Sequence, residues 1–121
     1  DRSLAMMDYA LRRRFSFFDV EPAFDKPAFK THITKYVGAA VADKVITRFI
    51  DLNRNIADEN TSGLGKGYCI GHSYFCVPPV AGQTAEDWYK AIIEYEITPL
   101  LYEYWWDDKD KADDCIKELK K

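Results

Sequence analysis

The chain has 121 residues, 47% of them hydrophobic and 15% aromatic, which is enough apolar mass for one packed domain and too much for a disordered segment. Lys and Arg number 17 against 20 Asp and Glu, a formal charge of -3, which argues against a broad basic face for gripping nucleic acid. No apolar run approaches the ~18 residues that a membrane-spanning helix needs.

In chain order, Leu4, Met7 and Leu11 recur at helical spacing and predict a helix over 3–14, with Asp1 or Ser3 to cap its start. Arg12, Arg13 and Arg14 fall in its last turn, where positive charge suits the helix dipole. The aromatic run Phe15 to Val20, stopped by Glu21-Pro22, predicts a strand, which needs a partner for its backbone groups. Pro27 opens a helix whose stripe is Phe29, Ile33, Tyr36 and Val37, and Gly38 stops it. A longer amphipathic helix follows from Ala39 to about Glu59, with Val41, Val45, Phe49, Leu52 and Ile56 on one face.

Asn60 to Gly67 reads as a polar, Gly-rich loop, and Tyr68 to Val77 as either a tight hairpin or a short helical turn. Beyond the Pro78-Pro79 break, a buried helix is predicted over 84–97. It carries one stripe at Trp88, Ile92 and Tyr95 and a second at Tyr89, Ile93 and Ile97. Thr98-Pro99 kinks it or caps a new helix ending at Trp105-Trp106. The charged stretch from Asp107 to Lys121, with a thin stripe at Ala112, Cys115, Ile116 and Leu119, predicts a peripheral or fraying helix.

Few residues in this pattern point to chemistry. Gly63-Leu64-Gly65-Lys66-Gly67 is not a phosphate loop, because Lys66 is followed by Gly67 rather than by the Ser or Thr that reaches magnesium. Cys69, Cys76 and Cys115 cannot all pair and lack metal-ligand spacing, so no metal site is expected and a reducing cytoplasm fits best. A thiol nucleophile at Cys69 or Cys76 with His72 as base competes with the plainer reading of inert, buried cysteines and a buried structural histidine, and His32 is read the same way. Asp107-Asp108 reads as a solvated helix start. Three consecutive arginines on a helix point about 100° apart, so at least one faces outward or toward a partner. Such a guanidinium serves either the helix dipole or the phosphates of a nucleotide held elsewhere.

Asp1-Arg2-Ser3-Leu4-Ala5, followed by Asp8-Tyr9-Ala10-Leu11-Arg12-Arg13-Arg14-Phe15, resembles the McrB-type AAA+ proteins, the nucleotide-hydrolysing subunits of 5-methylcytosine-specific restriction systems. The resemblance continues in Gly65-Lys66-Gly67-Tyr68, in Ile70-Gly71-His72-Ser73-Tyr74-Phe75 and in Ile97 to Tyr104 before Asp107-Asp108. In that family an Asn-Thr-Ala-Asp-Arg-Ser signature carries sensor 1 on its Asn, and this chain starts at the Asp. The resemblance implies a mainly α fold: residues 1–22 as the last helix and strand of an αβα core, and residues 23–121 as the helical lid. It implies Arg13 or Arg14 as an arginine finger acting in the neighbouring subunit, with Asp1 and Arg2 at the same subunit junction. Gly71, His72 and Ser73 fall where many AAA+ proteins keep a sensor 2 arginine, and no arginine stands there.

By the same resemblance the chain is a fragment of a longer protein, with Walker A, Walker B and sensor 1 upstream of Asp1. The fragment itself holds no cofactor, while the parent uses GTP or ATP with Mg2+. The implied partners are adjacent protomers of a hexamer, a nuclease subunit, and DNA reached through the parent. A competing expectation is a helical protein–protein interaction module that docks through an aromatic surface around Trp88, Trp105 and Trp106.

Overall fold

The computed structural model describes residues 22–121. The expected helix over 3–14 and strand over 15–20 lie outside the described residues, as do Asp1, Arg2, Arg13 and Arg14. Among the described residues the fold is helical, with no strand.

Helix α1 (Pro27–Ala57) starts with Pro at its first position, where a missing N–H costs nothing. Gly38 interrupts it at φ 85°, ψ 165°, a conformation that is essentially glycine's alone. The chain bends there, yet the apolar stripe runs on across the break from Phe29, Ile33 and Val37 to Val41, Val45, Phe49, Leu52 and Ile56. Every one of these side chains is buried.

Asp58 then caps a single turn, α2 (Glu59–Ser62), its carboxylate accepting from the Asn60 N–H at 3.1 Å and the Thr61 hydroxyl at 2.9 Å. The predicted polar loop is thus a closed turn. Buried Ser62 donates its hydroxyl to the Ile56 carbonyl at 2.7 Å and accepts from the Leu64 N–H at 3.0 Å. The end of that loop runs into a short 3-10 turn, Lys66–Tyr68, and the ambiguous segment beyond it forms a second, His72–Phe75, and no hairpin.

Helix α3 (Ala85–Ile92) is capped by Thr84, whose hydroxyl accepts from the Asp87 N–H at 3.0 Å. It runs into a π turn over Ile93–Ile97 and then into α4 (Thr98–Tyr104). Pro99 accounts for the π turn: it has no N–H to offer the Tyr95 carbonyl, and its ring would collide with that carbonyl in a regular helix. The widened turn corrects one expected stripe. Regular 100° steps put Trp88, Ile92 and Tyr95 in line, but the extra residue in the turn rotates Tyr95 outward, where it is 72% exposed. Tyr89, Ile93 and Ile97 stay buried.

Helix α5 (Lys109–Lys120) begins at Asp108, which accepts from the Lys111 N–H at 3.2 Å, in keeping with a solvated helix start. It is no fraying appendage. Ala112, Ile116 and Leu119 are buried, and the Leu119 carbonyl accepts from both Arg48 Nη1 and the Tyr89 hydroxyl at 2.6 Å. The last turn of the helix is thereby tied to α1 and α3.

The core is aromatic at the end where the described chain begins. Phe24 stacks on Phe49 with ring centres 5.4 Å apart, Phe49 meets Phe75 at 4.8 Å, and Phe75 meets Trp88 at 5.9 Å. The polar tips of core aromatics hold the irregular connection between α1 and α3. Trp88 Nε1 donates to the Val77 carbonyl at 2.6 Å, Trp105 Nε1 to that of Ser62 at 2.8 Å, and the Tyr36 hydroxyl to that of Phe75 at 2.7 Å. Buried rings with one polar edge suit this task, since the ring fills the core while its N–H or O–H satisfies a loop carbonyl.

Candidate functional site

The sequence singled out Gly71, His72 and Ser73, and the structure brings them together on one turn, held at three points. Asn53 on α1 grips the residue before it: its Nδ2 donates to the Ile70 carbonyl at 2.9 Å and its Oδ1 accepts from the Ile70 N–H at 2.7 Å. Both backbone groups of Ile70, whose side chain is buried, are satisfied by one amide. Phe75 anchors the other end, its ring in the core and its carbonyl bonded to Tyr36. Between these anchors the Ala23 N–H donates to His72 Nδ1 at 3.1 Å. The imidazole meets Phe24 and Phe29 edge to face, with centres 6.4 and 5.6 Å away.

His72 is therefore a partly buried structural histidine that ties the turn to the beginning of the described chain, while Ser73 faces solvent. His32, read as buried, is exposed and meets the Tyr36 ring edge to face at 5.4 Å. The residues that sequence reasoning missed are Ala23, Asn53 and Tyr36. Asn53 carried a signal: a poor helix former beside the buried stripe of Phe49, Leu52 and Ile56 needs a partner for its amide.

The thiol chemistry does not assemble. Burial pushes the Cys69 thiol up, with Lys66 opposing, and burial also raises Cys76 and Cys115, so none is poised as a thiolate. Cys69 Sγ donates to the Asn53 carbonyl at 3.4 Å, and Cys76 Sγ approaches the His72 carbonyl at 3.7 Å rather than its ring. Nδ1 of that ring is already taken by Ala23. Cys76 is exposed, contrary to the expectation of a buried cysteine. Tyr36 beside it is raised by burial and further by Cys76, so its hydroxyl stays a donor.

Among the described residues no group of three or more His, Cys, Asp and Glu is placed to hold a metal. None of the described helices is long and apolar enough to cross a membrane. A separate cleft of about 450 Å³ lies between α2 and the α4–α5 junction, with Glu59, Leu64, Trp106 and Asp107 among its walls. The aromatic docking surface does not exist as expected: Trp88 and Trp105 are each 3% exposed, and Trp106 alone of the three stands out. Burial of two of its three anchors removes the main support for the interaction-module reading.

Among the described residues, helices around one core, with an irregular turn clamped against the start of the helical body, define the class: an all-helical domain. The chain belongs to the McrB family, whose model for the McrB alpha-helical lid domain matches residues 44–113. It is 45% identical over 121 residues to the type IV methyl-directed restriction enzyme EcoKMcrB subunit of Escherichia coli (strain K12), an alignment covering 98% of this chain and 26% of that relative. The chain thus spans about a quarter of the relative's length. No solved structure matches it.

Proposed function

We propose that this chain is the lid portion of a McrB-like AAA+ NTPase that powers DNA restriction together with a partner nuclease. The observation that carries the reading is the 45% identity to a methyl-directed restriction subunit across 98% of this chain, which takes in the segment ahead of the lid match as well as the lid. In this reading residues 1–22 close the nucleotide-binding core and residues 23–121 cover the nucleotide. The core of the parent protein grips GTP or ATP and Mg2+. The parent works in the cytoplasm as a hexamer whose protomers meet near Asp1 and Arg2, and it reaches DNA through its other parts.

Arg13 or Arg14 then supplies the trans arginine. A guanidinium delivered to the neighbouring site neutralises charge developing on the transferred phosphoryl group, an effect on the order of 10³–10⁵ in rate. Gly71, His72 and Ser73 face the nucleotide from the lid. The fixed geometry of their turn supports this, because a group that reads a ligand needs a rigid mount.

Nucleotide turnover by the full-length protein tests the reading. Arg13→Ala or Arg14→Ala should abolish turnover of GTP or ATP while nucleotide binding persists. If both variants turn over nucleotide like wild type, the motor assignment fails.

A further inference from the structure

The cleft between α2 and the α4–α5 junction shares no wall with the Gly71–Ser73 turn, and its chemistry is different. Four carboxylates line it, those of Glu59, Glu103, Asp107 and Asp108, against one cation, Lys111. That cation is engaged in the wall itself: its Nζ donates to the Thr61 carbonyl and lies 5.8 Å from the centre of the buried Trp105 ring. Asp108 is engaged as well, because it caps α5. Glu59, Glu103 and Asp107 leave the cleft negative.

The walls are fixed before any guest arrives. Trp105 Nε1 donates to the Ser62 carbonyl at 2.8 Å, and Lys111 reaches the carbonyl of the neighbouring Thr61, so α2 is pinned to the α4–α5 junction twice. Helix α4 ends at Tyr104, and Trp105 leaves helical geometry at φ -116°, ψ 48°. The Trp105 ring turns into the core, and the next ring, Trp106, stands 49% exposed in the wall of the cleft. A half-exposed indole is a large apolar face in water and the kind of side chain that anchors interfaces. At about 450 Å³ the cleft has the size of a ligand pocket.

A cleft lined by one sign of charge focuses its field and selects a cation, while it repels phosphate and nucleic acid. A metal ion does not fit, since no metal-holding group stands among the described residues. A guanidinium suits both kinds of wall: its plane stacks on an indole face and its fork of N–H donors matches carboxylates. The negative charge also runs past the cleft. From Glu94 to Asp114 the chain holds eight carboxylates and two lysines, although its formal charge as a whole is only -3. A field of that extent is complementary to a basic segment rather than to one small cation. The described fold does not supply the guest: its two arginines, Arg48 and Arg54, bond the Leu119 carbonyl and Asp51, and neither lines the cleft.

We infer that this cleft docks a basic segment of a partner protein, one arginine of which stacks on Trp106 and pairs with the carboxylates of Glu59, Glu103 and Asp107. The site stands whether or not this chain covers a nucleotide.

Nitrogen-15 spectra of the 121-residue chain test it, read at the amides of Gly63 and Leu64 in the cleft wall, with the Trp88 indole as a control of folding. The probes are three peptides with flanking lysines and a central arginine, lysine or citrulline, the last a neutral isostere of arginine, together with spermidine. The arginine peptide should shift the Gly63 and Leu64 signals saturably. The lysine peptide should bind about threefold more weakly and the citrulline peptide about tenfold. Trp106→Ala should weaken arginine-peptide binding about tenfold, and Trp106→Phe, which keeps a ring, should recover much of it. Asp107→Asn and Glu59→Gln should each weaken it about threefold, and added salt should weaken wild-type binding.

Equal binding of the citrulline peptide overturns the inference, as does spermidine binding as tightly as the arginine peptide. So does wild-type affinity in Trp106→Ala, or the absence of any saturable shift up to about 5 mM peptide. Light scattering that finds a dimer of the chain alone, lost in Trp106→Ala, gives the cleft to a second copy and overturns it too. None of these outcomes touches the lid reading, which is decided by nucleotide turnover in Arg13→Ala and Arg14→Ala.

Discussion

Asn53 shows how one side chain can decide the shape of a loop. Its amide matches the Ile70 peptide donor for acceptor and acceptor for donor, at 2.9 and 2.7 Å, across 17 residues of sequence. Position 53 lies one residue beyond the buried Leu52 and is itself half-buried. Truncation to Ala leaves the backbone donor and acceptor of buried Ile70 unpaired. Asn53→Ala should therefore destabilise the chain by about 2–3 kcal/mol, as two lost hydrogen bonds and their desolvation imply. Urea denaturation measures the cost, and a change below about 0.5 kcal/mol would mean that the clamp contributes nothing. Sequence alone exposes only that this Asn needs a partner. The partner's identity depends on a tertiary contact that no local pattern encodes.

Most of the helical elements were legible because their apolar spacing and their punctuation agree. Pro27 opens α1, Gly38 breaks it, Thr84 and Asp108 cap α3 and α5, and the stripe from Val41 to Ile56 is buried as its period requires. The exceptions share a physical cause: they depend on geometry other than the regular α-turn. The π turn before Pro99 moved Tyr95 out of the core, and the segment 68–77 folds around the 3-10 turn His72–Phe75, fixed by distant side chains. Of the candidate site, the Gly71–His72–Ser73 segment was found by resemblance, while its fixation to Ala23 and Asn53 was not readable. Gly38 offers a clean test at this scale. A Cβ there would meet nothing within 4 Å, so any cost of Gly38→Ala is conformational rather than steric crowding. The expected loss is about 1–3 kcal/mol by urea denaturation. Gly63→Asn, at φ 76° and ψ 6° in the left-handed region that Asn tolerates, should cost less. Equal stability of Gly38→Ala and wild type would show that the break relaxes into a continuous helix.

At the scale of the whole molecule, the end of α5 closes the fold. The Leu119 carbonyl would be an orphan at a helix terminus, yet it accepts from Arg48 on α1 and Tyr89 on α3, so one oxygen joins three helices. Lys44 lies 4.8 Å above the centre of the same Tyr89 ring and pairs with Glu86 at 3.1 Å, adding a second link between α1 and α3. This junction carries a pH dependence whose sign is fixed by the tyrosine. Burial pushes the Tyr89 hydroxyl above its ordinary value, the hydrogen bond and charge of Arg48 oppose the shift, and Glu86 adds to it. The folded state therefore holds the proton longer than the unfolded one. Its contribution is whole below the unfolded value of about 10 and is lost as pH rises from there through the folded value. The raised cysteines lose stability in the same direction from a lower starting pH, so wild type must be compared with a variant that differs only at Tyr89. Tyr89→Phe should lose about 1 kcal/mol at neutral pH, the worth of one hydrogen bond. Its stability should then fall less steeply than the wild type's above pH 10, so that the two urea curves converge as the solution becomes more alkaline. A constant gap across that range would show that the hydroxyl titrates alike in both states and that the α1–α3–α5 junction does not depend on its proton.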